Sequence, residues 1–250
     1  MEEFAAGSAT LRGEAAHHLG RVLRAEAGQF YELSDGRQLW LARTESVGRD
    51  EVQFTLIEQL PATTGHVRIH LLLAVVKFDR FEWALEKATE LGAEEILPLA
   101  ADRSEKGLLA AAPKRAERWK RVLAESAQQA RRLRIPALRD PVKPLDAFRT
   151  SDATLKLLLS ERAGAPPMRE ILEQVVARQG AKDVPCVATA IGPEGGWTDT
   201  EFSAAQDSGF VETALGANIL RTETAVCAAL AAVQYAFGTF RAGDELMNTE

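Results

Sequence analysis

The ten residues VRIHLLLAVV at 67–76 interrupt an apolar run only at Arg68 and His70. A strand with one wet face alternates apolar and polar side chains. A run this continuous fits a strand buried on both faces, as in parallel sheets covered by helices on each side. It falls far short of the roughly 20 apolar residues that cross a bilayer. Such a strand obliges the chain to supply helices for two faces, and the next residues do so. Phe81, Ala84, Leu85, Ala88 and Leu91 recur at helical spacing, with Gly92 placed to end the helix. A short strand is predicted over Glu95 to Leu99 and a helix over 113–131, opened by Pro113 and carrying a Trp119, Val122, Leu123 stripe. Pro136, Pro141 and Pro144 break the stretch beyond that helix; after it come a strand at 154–160, a helix from Met168 to Gln179 and a strand at 184–192. This alternation predicts an α/β fold with a mostly parallel sheet and helices on both faces.

Residues 1–65 have a different rhythm. Apolar and polar residues alternate, broken at Asp35-Gly36 and Gly48-Arg49-Asp50, as in a small antiparallel meander, with a short helix expected from Glu14 to Leu23. The stretch PATTG at 61–65 reads as a linker, which divides the chain into domains at 1–65 and 66–250.

The formal net charge is -6 but unevenly spread. From Arg103 to Lys143 there are twelve Lys and Arg against four Asp and Glu; from Asp183 to Glu250 there are two against ten. One segment is suited to a polyanion and another is not, unless the basic residues are simply a solvated helix face. Cys186 and Cys227 stand in apolar segments, as reduced buried thiols do, and the opening MEEFAAG lacks the apolar core of a secretory signal, so a cytoplasmic location is expected. His17, His18, His66 and His70 lack metal-ligand spacing with any Cys or acidic residue, and no metal is expected. Trp83, Trp119 and Trp197 read as core or loop anchors rather than base-stacking platforms, with Trp197, beside the pocket, the one left open to the second role.

Two glycine loops carry the chemistry. IGPEGGWTDTE (191–201) comes after a predicted strand and ends in Thr198-Asp-Thr-Glu201, a capping box that starts a helix at Asp199 running to about Ser208. LGANILRTETA (215–225) comes after a short strand at Val211 to Ala214 and opens a helix capped by Thr222 and ending at Gly238. Loops of this kind lie at the carboxyl ends of parallel strands, where open α/β sheets bind ligands. Neither has the spacing of a phosphate cradle. Glu194 adds a negative charge with nothing basic inside its loop, so the ligand should be neutral or cationic there. Side by side, the loops would floor a pocket with backbone groups, while Ile191, Leu215, Ile219 and Leu220 supply walls for a purine ring. The alternative is that the glycines only permit tight connections.

The strings IGPEGGWTDTE and LGANILRTETA, with KFDRFEWALEKATELGAEEILPL, QQARRLRIP and HHLGRVLR, closely resemble the bacterial 16S ribosomal RNA (uridine-N3) methyltransferases of the knotted SPOUT superfamily. The resemblance runs along nearly the whole chain. It implies an N-terminal PUA-like β-barrel for RNA, a C-terminal α/β domain with a trefoil knot, a homodimer, S-adenosylmethionine as methyl donor, and 16S RNA within the assembled small subunit as substrate. A knot is a rare exception to the rule against threaded chains. The resemblance places the donor between the loop around Ser160, residues Gly192, Pro193, Glu194, Gly195 and Gly196, and the stretch Leu215, Gly216, Ile219, Leu220 and Arg221.

The implied reaction needs a cation at the uracil carbonyls to stabilise charge on the base. Arg221, directly after the second loop, is the first candidate and Arg132, in QQARR, the second; a salt bridge from Arg221 to Glu223 or Glu194 is the structural alternative. Glu194 and Glu223 are the acidic candidates for a base, with water as the other acceptor. RNA contact is expected from Lys114, Arg115, Arg118, Lys120 and Arg121, then Arg131, Arg132 and Arg134, with Arg12, Arg21 and Arg24 from the first domain. The sequence departs from the family's pattern at Gln128-Gln129, where Glu-Gln is expected, and at Trp197, where Phe is more usual. The rival readings keep fold and donor but change the target to a ribose hydroxyl or a transfer RNA base, or keep the scaffold as a non-catalytic ribosome-assembly factor.

Overall fold

The computed structural model describes residues 2–5, 7–35, 38–60, 67–179 and 186–237. The expected linker at 61–65, His66, the turn residue Gly36 and the helix end at Gly238 lie outside these. The chain forms two compact units, Met1–Thr64 and Gly65–Glu250.

Among the described residues the first unit is a five-stranded antiparallel sheet. Its strands are β1 (Glu2–Ala5), β2 (Ser8–Arg12), β3 (Phe30–Ser34), β4 (Leu39–Val47) and β5 (Glu51–Leu60), in the order β1-β2-β5-β4-β3. β4 and β5 make the expected hairpin, closed where Gly48 N–H donates to Glu51 O at 2.8 Å. Leu11, Ala16, Leu19, Ala42, Val52 and Phe54 form the core. The predicted helix from Glu14 is only partly α-helical: α1 (Glu14–His17) widens into a π-helical turn over His18–Val22. Gly20 lies in that turn, where a Cβ would come within 3.3 Å of Val47 Cγ1, so the wider turn seats this segment directly on β4.

Among the described residues the second unit holds six parallel strands: β6 (Arg68–Ala74), β7 (Ala93–Leu99), β8 (Ala137–Leu138), β9 (Leu155–Leu159), β10 (Cys186–Ile191) and β11 (Val211–Thr213), ordered β11-β9-β10-β6-β7-β8. The helices are α2 (Phe78–Glu90), α3 (Lys106–Ala111), α4 (Ala116–Gln129), α5 (Pro144–Thr150), α6 (Met168–Gln179), α7 (Asp199–Asp207) and α8 (Thr222–Phe237). Both faces of the sheet are covered. Leu71, Leu73, Leu157 and Val187 pack with Phe81 and Leu85 of α2, Trp119 of α4, Leu172 of α6 and Leu230 of α8. Leu72, Leu158, Ala188 and Ala190 pack with Phe148 of α5 and Phe202 of α7. All six residues of β10 are buried, so the near-continuous apolar pattern reports a strand with no wet face.

The region 106–150 departs from expectation. Instead of one helix over 113–131, α3 is followed by a 3₁₀ turn (Ala112–Arg115) that contains Pro113, and only then by α4. Pro144 starts α5 rather than breaking structure, because the first helical position needs no N–H partner. Gly92 ends α2 as predicted, with φ 90°, and the space a side chain would need is filled by Gln234, whose amide donates to Leu91 O at 3.0 Å.

Candidate functional site

Parallel strands end their carboxyl edges in loops, and in this sheet the loops after β9, β10 and β11 converge. They line a cavity of about 390 Å³, within the roughly 300–1,000 Å³ typical of small-molecule sites.

The first glycine loop is built as the sequence implied. Gly196, at φ 69°, closes a tight turn in which its N–H donates to Pro193 O at 2.8 Å. Thr198 and Glu201 form both halves of the capping box at the start of α7. Trp197 is pinned beneath the loop: its indole N–H donates to Leu159 O at 2.9 Å, and a Cβ on Gly192 would meet its ring at 3.1 Å. It is a loop anchor that packs into the core and also lines the cavity, so the Phe-to-Trp departure falls at the boundary of the two.

The second loop is fixed from two sides. Ala214 N–H donates to Pro166 O and Met168 N–H to Ala214 O, both at 2.9 Å, which locks the end of β11 to the loop before α6. Thr222 does not cap α8; it is the first helical residue, and its hydroxyl donates to Gly192 O at 3.1 Å. That bond joins the two glycine loops directly.

Of the residues expected here, Ser160, Ile191, Gly192, Pro193, Glu194, Gly195, Gly196, Leu215, Gly216, Ile219 and Leu220 line the cavity. Arg221 is not among the lining residues; it is exposed, and its side chain makes no ion pair or hydrogen bond among the described residues. Its alternative partners, Glu194 and Glu223, are taken by Arg80 near the start of α2: Nη1 lies 2.9 Å from Glu194 and Nε 3.8 Å from Glu223. Glu194 is thus not an uncompensated charge, which corrects the inference from its loop composition. Arg132 is elsewhere altogether. Its guanidinium donates to Thr89 O (2.8 Å) and Ala93 O (2.7 Å), at the amino end of β7 and the opposite edge of the sheet from the cavity. Burial there holds its pKa below the usual arginine value.

Two arginines line the cavity that the sequence did not single out. Arg162 donates to Asp199 at 2.6 Å and lies 3.8 Å over the Phe202 ring. Arg103, in the loop after β7, donates from Nη1 to Gly195 O at 2.8 Å, and its stem lies where a Cβ on Gly195 would come within 3.2 Å. The signal available for Arg103 was position: it comes after a predicted strand at the same edge of the sheet.

The expected RNA-contact residues divide. Arg12 pairs with Glu51, Arg115 and Arg118 with Glu82, and Lys120 with Glu117. Arg21, Arg24, Lys114, Arg121 and Arg131 are exposed, and Arg134 is engaged with other groups. Among the described residues no group of three His, Cys, Asp or Glu is placed to hold a metal ion, and no helix is long and apolar enough to cross a membrane.

Residues 63–234 match the family model of the RNA methyltransferase domain, and residues 11–57 that of the RNA methyltransferase PUA domain. The ribosomal RNA small subunit methyltransferase E of Synechocystis is 34% identical over 93% of this chain and 74% of its own length. That of Bacillus subtilis is 29% identical, covering 90% and 89%. Among solved structures, a Legionella pneumophila methyltransferase in complex with S-adenosylmethionine is 32% identical with TM-score 0.77, covering 94% of each chain. The Neisseria gonorrhoeae ribosomal RNA small subunit methyltransferase E bound to S-adenosylmethionine is 25% identical with TM-score 0.80, covering 95% of this chain and 96% of that one.

Proposed function

The chain belongs to the RNA methyltransferase family, among the ribosomal RNA small subunit methyltransferases E, and from that premise we propose that it transfers a methyl group from S-adenosylmethionine to N3 of a specific uridine in 16S ribosomal RNA. The observation that carries the proposal is the cavity itself, walled by two glycine loops that Thr222 ties together.

The residues present suit such a donor. Ile191, Leu215 and Leu220 give apolar surface for the adenine, and the backbone of 192–196 and 215–220 offers hydrogen-bonding groups. The donor supplies a methyl group on a sulfonium sulfur. Glu194 and Glu223, bridged by Arg80, fix the spacing of the two loops. Orientation of base and donor in one cavity accounts for much of the rate. Arg221 is assigned to phosphate contact beside the cavity, and Arg21, Arg24, Lys114, Arg121 and Arg131 are further exposed cations. The target base leaves its stack to reach the cavity.

The same reading extends to the finer architecture. The antiparallel sheet of the first unit closes as a PUA-like barrel for RNA. In the second unit we place a trefoil knot in the segment after β11; the hydrogen bonds that hold Ala214 against Pro166 and Met168, which bring the chain after β11 back onto the loop before α6, support this reading. The protein acts as a cytoplasmic homodimer on the assembled small subunit. The test is to incubate it with labelled donor and isolated small subunits, free 16S RNA or transfer RNA, and to map the label by mass spectrometry. The proposal requires N3-methyluridine in 16S RNA; label on a ribose hydroxyl or on transfer RNA overturns it.

A further inference from the structure

With Arg132 at the other edge of the sheet and Arg221 outside the cavity lining, the cation that the chemistry needs must come from elsewhere. Arg162 is committed to Asp199 and to the Phe202 face. Arg103 is committed by only one contact, Nη1 to Gly195 O, and a guanidinium has five N–H donors. Its placement is built, not incidental. Glu201, 1% exposed, accepts Thr198 N–H at 2.8 Å on one oxygen and Asp102 N–H at 2.9 Å on the other. The carboxylate that caps α7 therefore also holds the residue before Arg103, while the arginine stem lies against Gly195. Loop and arginine are fixed as one unit.

We propose that Arg103 is a catalytic residue, donating hydrogen bonds from its remaining N–H groups to a carbonyl of the target uracil beside N3. This rests on the uridine-N3 reading. The base loses its N3 proton to water, and the resulting anion is delocalised onto the carbonyl oxygens O2 and O4, where the guanidinium stabilises it. N3 then forms a bond to the methyl carbon as the carbon–sulfur bond breaks, the electron pair goes to sulfur, and the anion and sulfonium become a neutral base and a neutral thioether. Arg103 remains charged throughout.

The experiment uses an RNA fragment with 5-fluorouridine at the methylated position, bound to the full-length protein with S-adenosylhomocysteine. The N3 pKa of the bound base is read from its ¹⁹F shift against pH. Arg103→Gln keeps a donor for the Gly195 carbonyl and removes the charge; Arg103→Lys restores the charge. The proposal predicts a base pKa lowered by about 1–3 units in the wild type, as for an acid beside a cation. The depression disappears in Arg103→Gln and partly returns in Arg103→Lys. Single-turnover methylation by Arg103→Gln should fall on the order of 100-fold, as when one charge-stabilising donor is removed, and recover as pH rises, with donor affinity by calorimetry within about threefold of wild type. Equal base pKa values in wild type and Arg103→Gln overturn the assignment. If the wild type methylates no uridine N3 in 16S RNA, the reading beneath it fails instead; methylation with an unshifted base pKa removes Arg103 alone.

Discussion

The carboxyl edge of the parallel sheet and the basic segment 103–143 were both prominent in the sequence, yet they translated into structure very differently. At the sheet edge, glycine spacing and a capping box foretold the geometry, because backbone conformation there is set by local residues: the turn requires a positive φ that Gly196 adopts without strain at 69°, and Thr198 reaches Glu201 within one turn. In the basic segment, counting charges overstated the surface. Arg115 and Arg118 meet Glu82, thirty or more residues earlier, and Arg132 is spent on backbone carbonyls. A formal charge becomes an available charge only when tertiary partners leave it unpaired.

The sharpest way to break the contrast is at Gly195. In Gly195→Val the new side chain would collide with Arg103, whose Cβ is already 3.2 Å from where a Cβ would sit. Donor affinity measured by calorimetry should fall at least 100-fold, on the order of 3 kcal/mol, as expected for overpacking at a tight contact. Retained affinity would mean that the loop does not hold the donor. A smaller effect is expected at the tie between the loops. Thr222→Val removes the hydroxyl that donates to Gly192 O and should weaken the donor by about fivefold, since one hydrogen bond is worth about 1 kcal/mol net. An unchanged dissociation constant would show that the loops hold their spacing without it.

The basic segment offers the subtlest comparison. Lys114→Ala should reduce the slope of log affinity for RNA against log salt by about one, with no change in melting temperature. Arg118→Ala should change the slope less but destabilise the fold by about 1 kcal/mol, because it strips a 2.7 Å partner from Glu82, whose side chain is 13% exposed. Equal salt slopes for the two variants would erase the distinction between paired and unpaired arginine and lysine.

Much of the fold was legible for the same reason that the loops were. Short apolar runs such as LKLLL and CVATAI between turn signals fit largely buried strands, and the 3.6-residue recurrence from Phe81 to Leu91 fits α2 and its cap. The misreadings fell where one residue type serves two ends: Pro144 opens α5 but reads as a breaker, and Pro113 sits in a 3₁₀ turn between two helices. In the site, the bonds from Arg103 to Gly195 and from Arg80 to Glu194 span 92 and 114 residues. No local pattern encodes such pairs; they exist only once strand order brings the loops to one edge. Glu194 shows the cost of reading a charge alone, since Arg80 compensates it from another helix.

The central claim is that the two glycine loops, and not the basic stretch 114–121, hold the methyl donor. Hydrogen–deuterium exchange of the full chain with and without S-adenosylmethionine tests it most directly. Protection should be concentrated in peptides covering 191–197 and 214–222, with a smaller change around Ser160 and none over 114–121. Protection absent from both loops, or strongest over 114–121, would contradict the account.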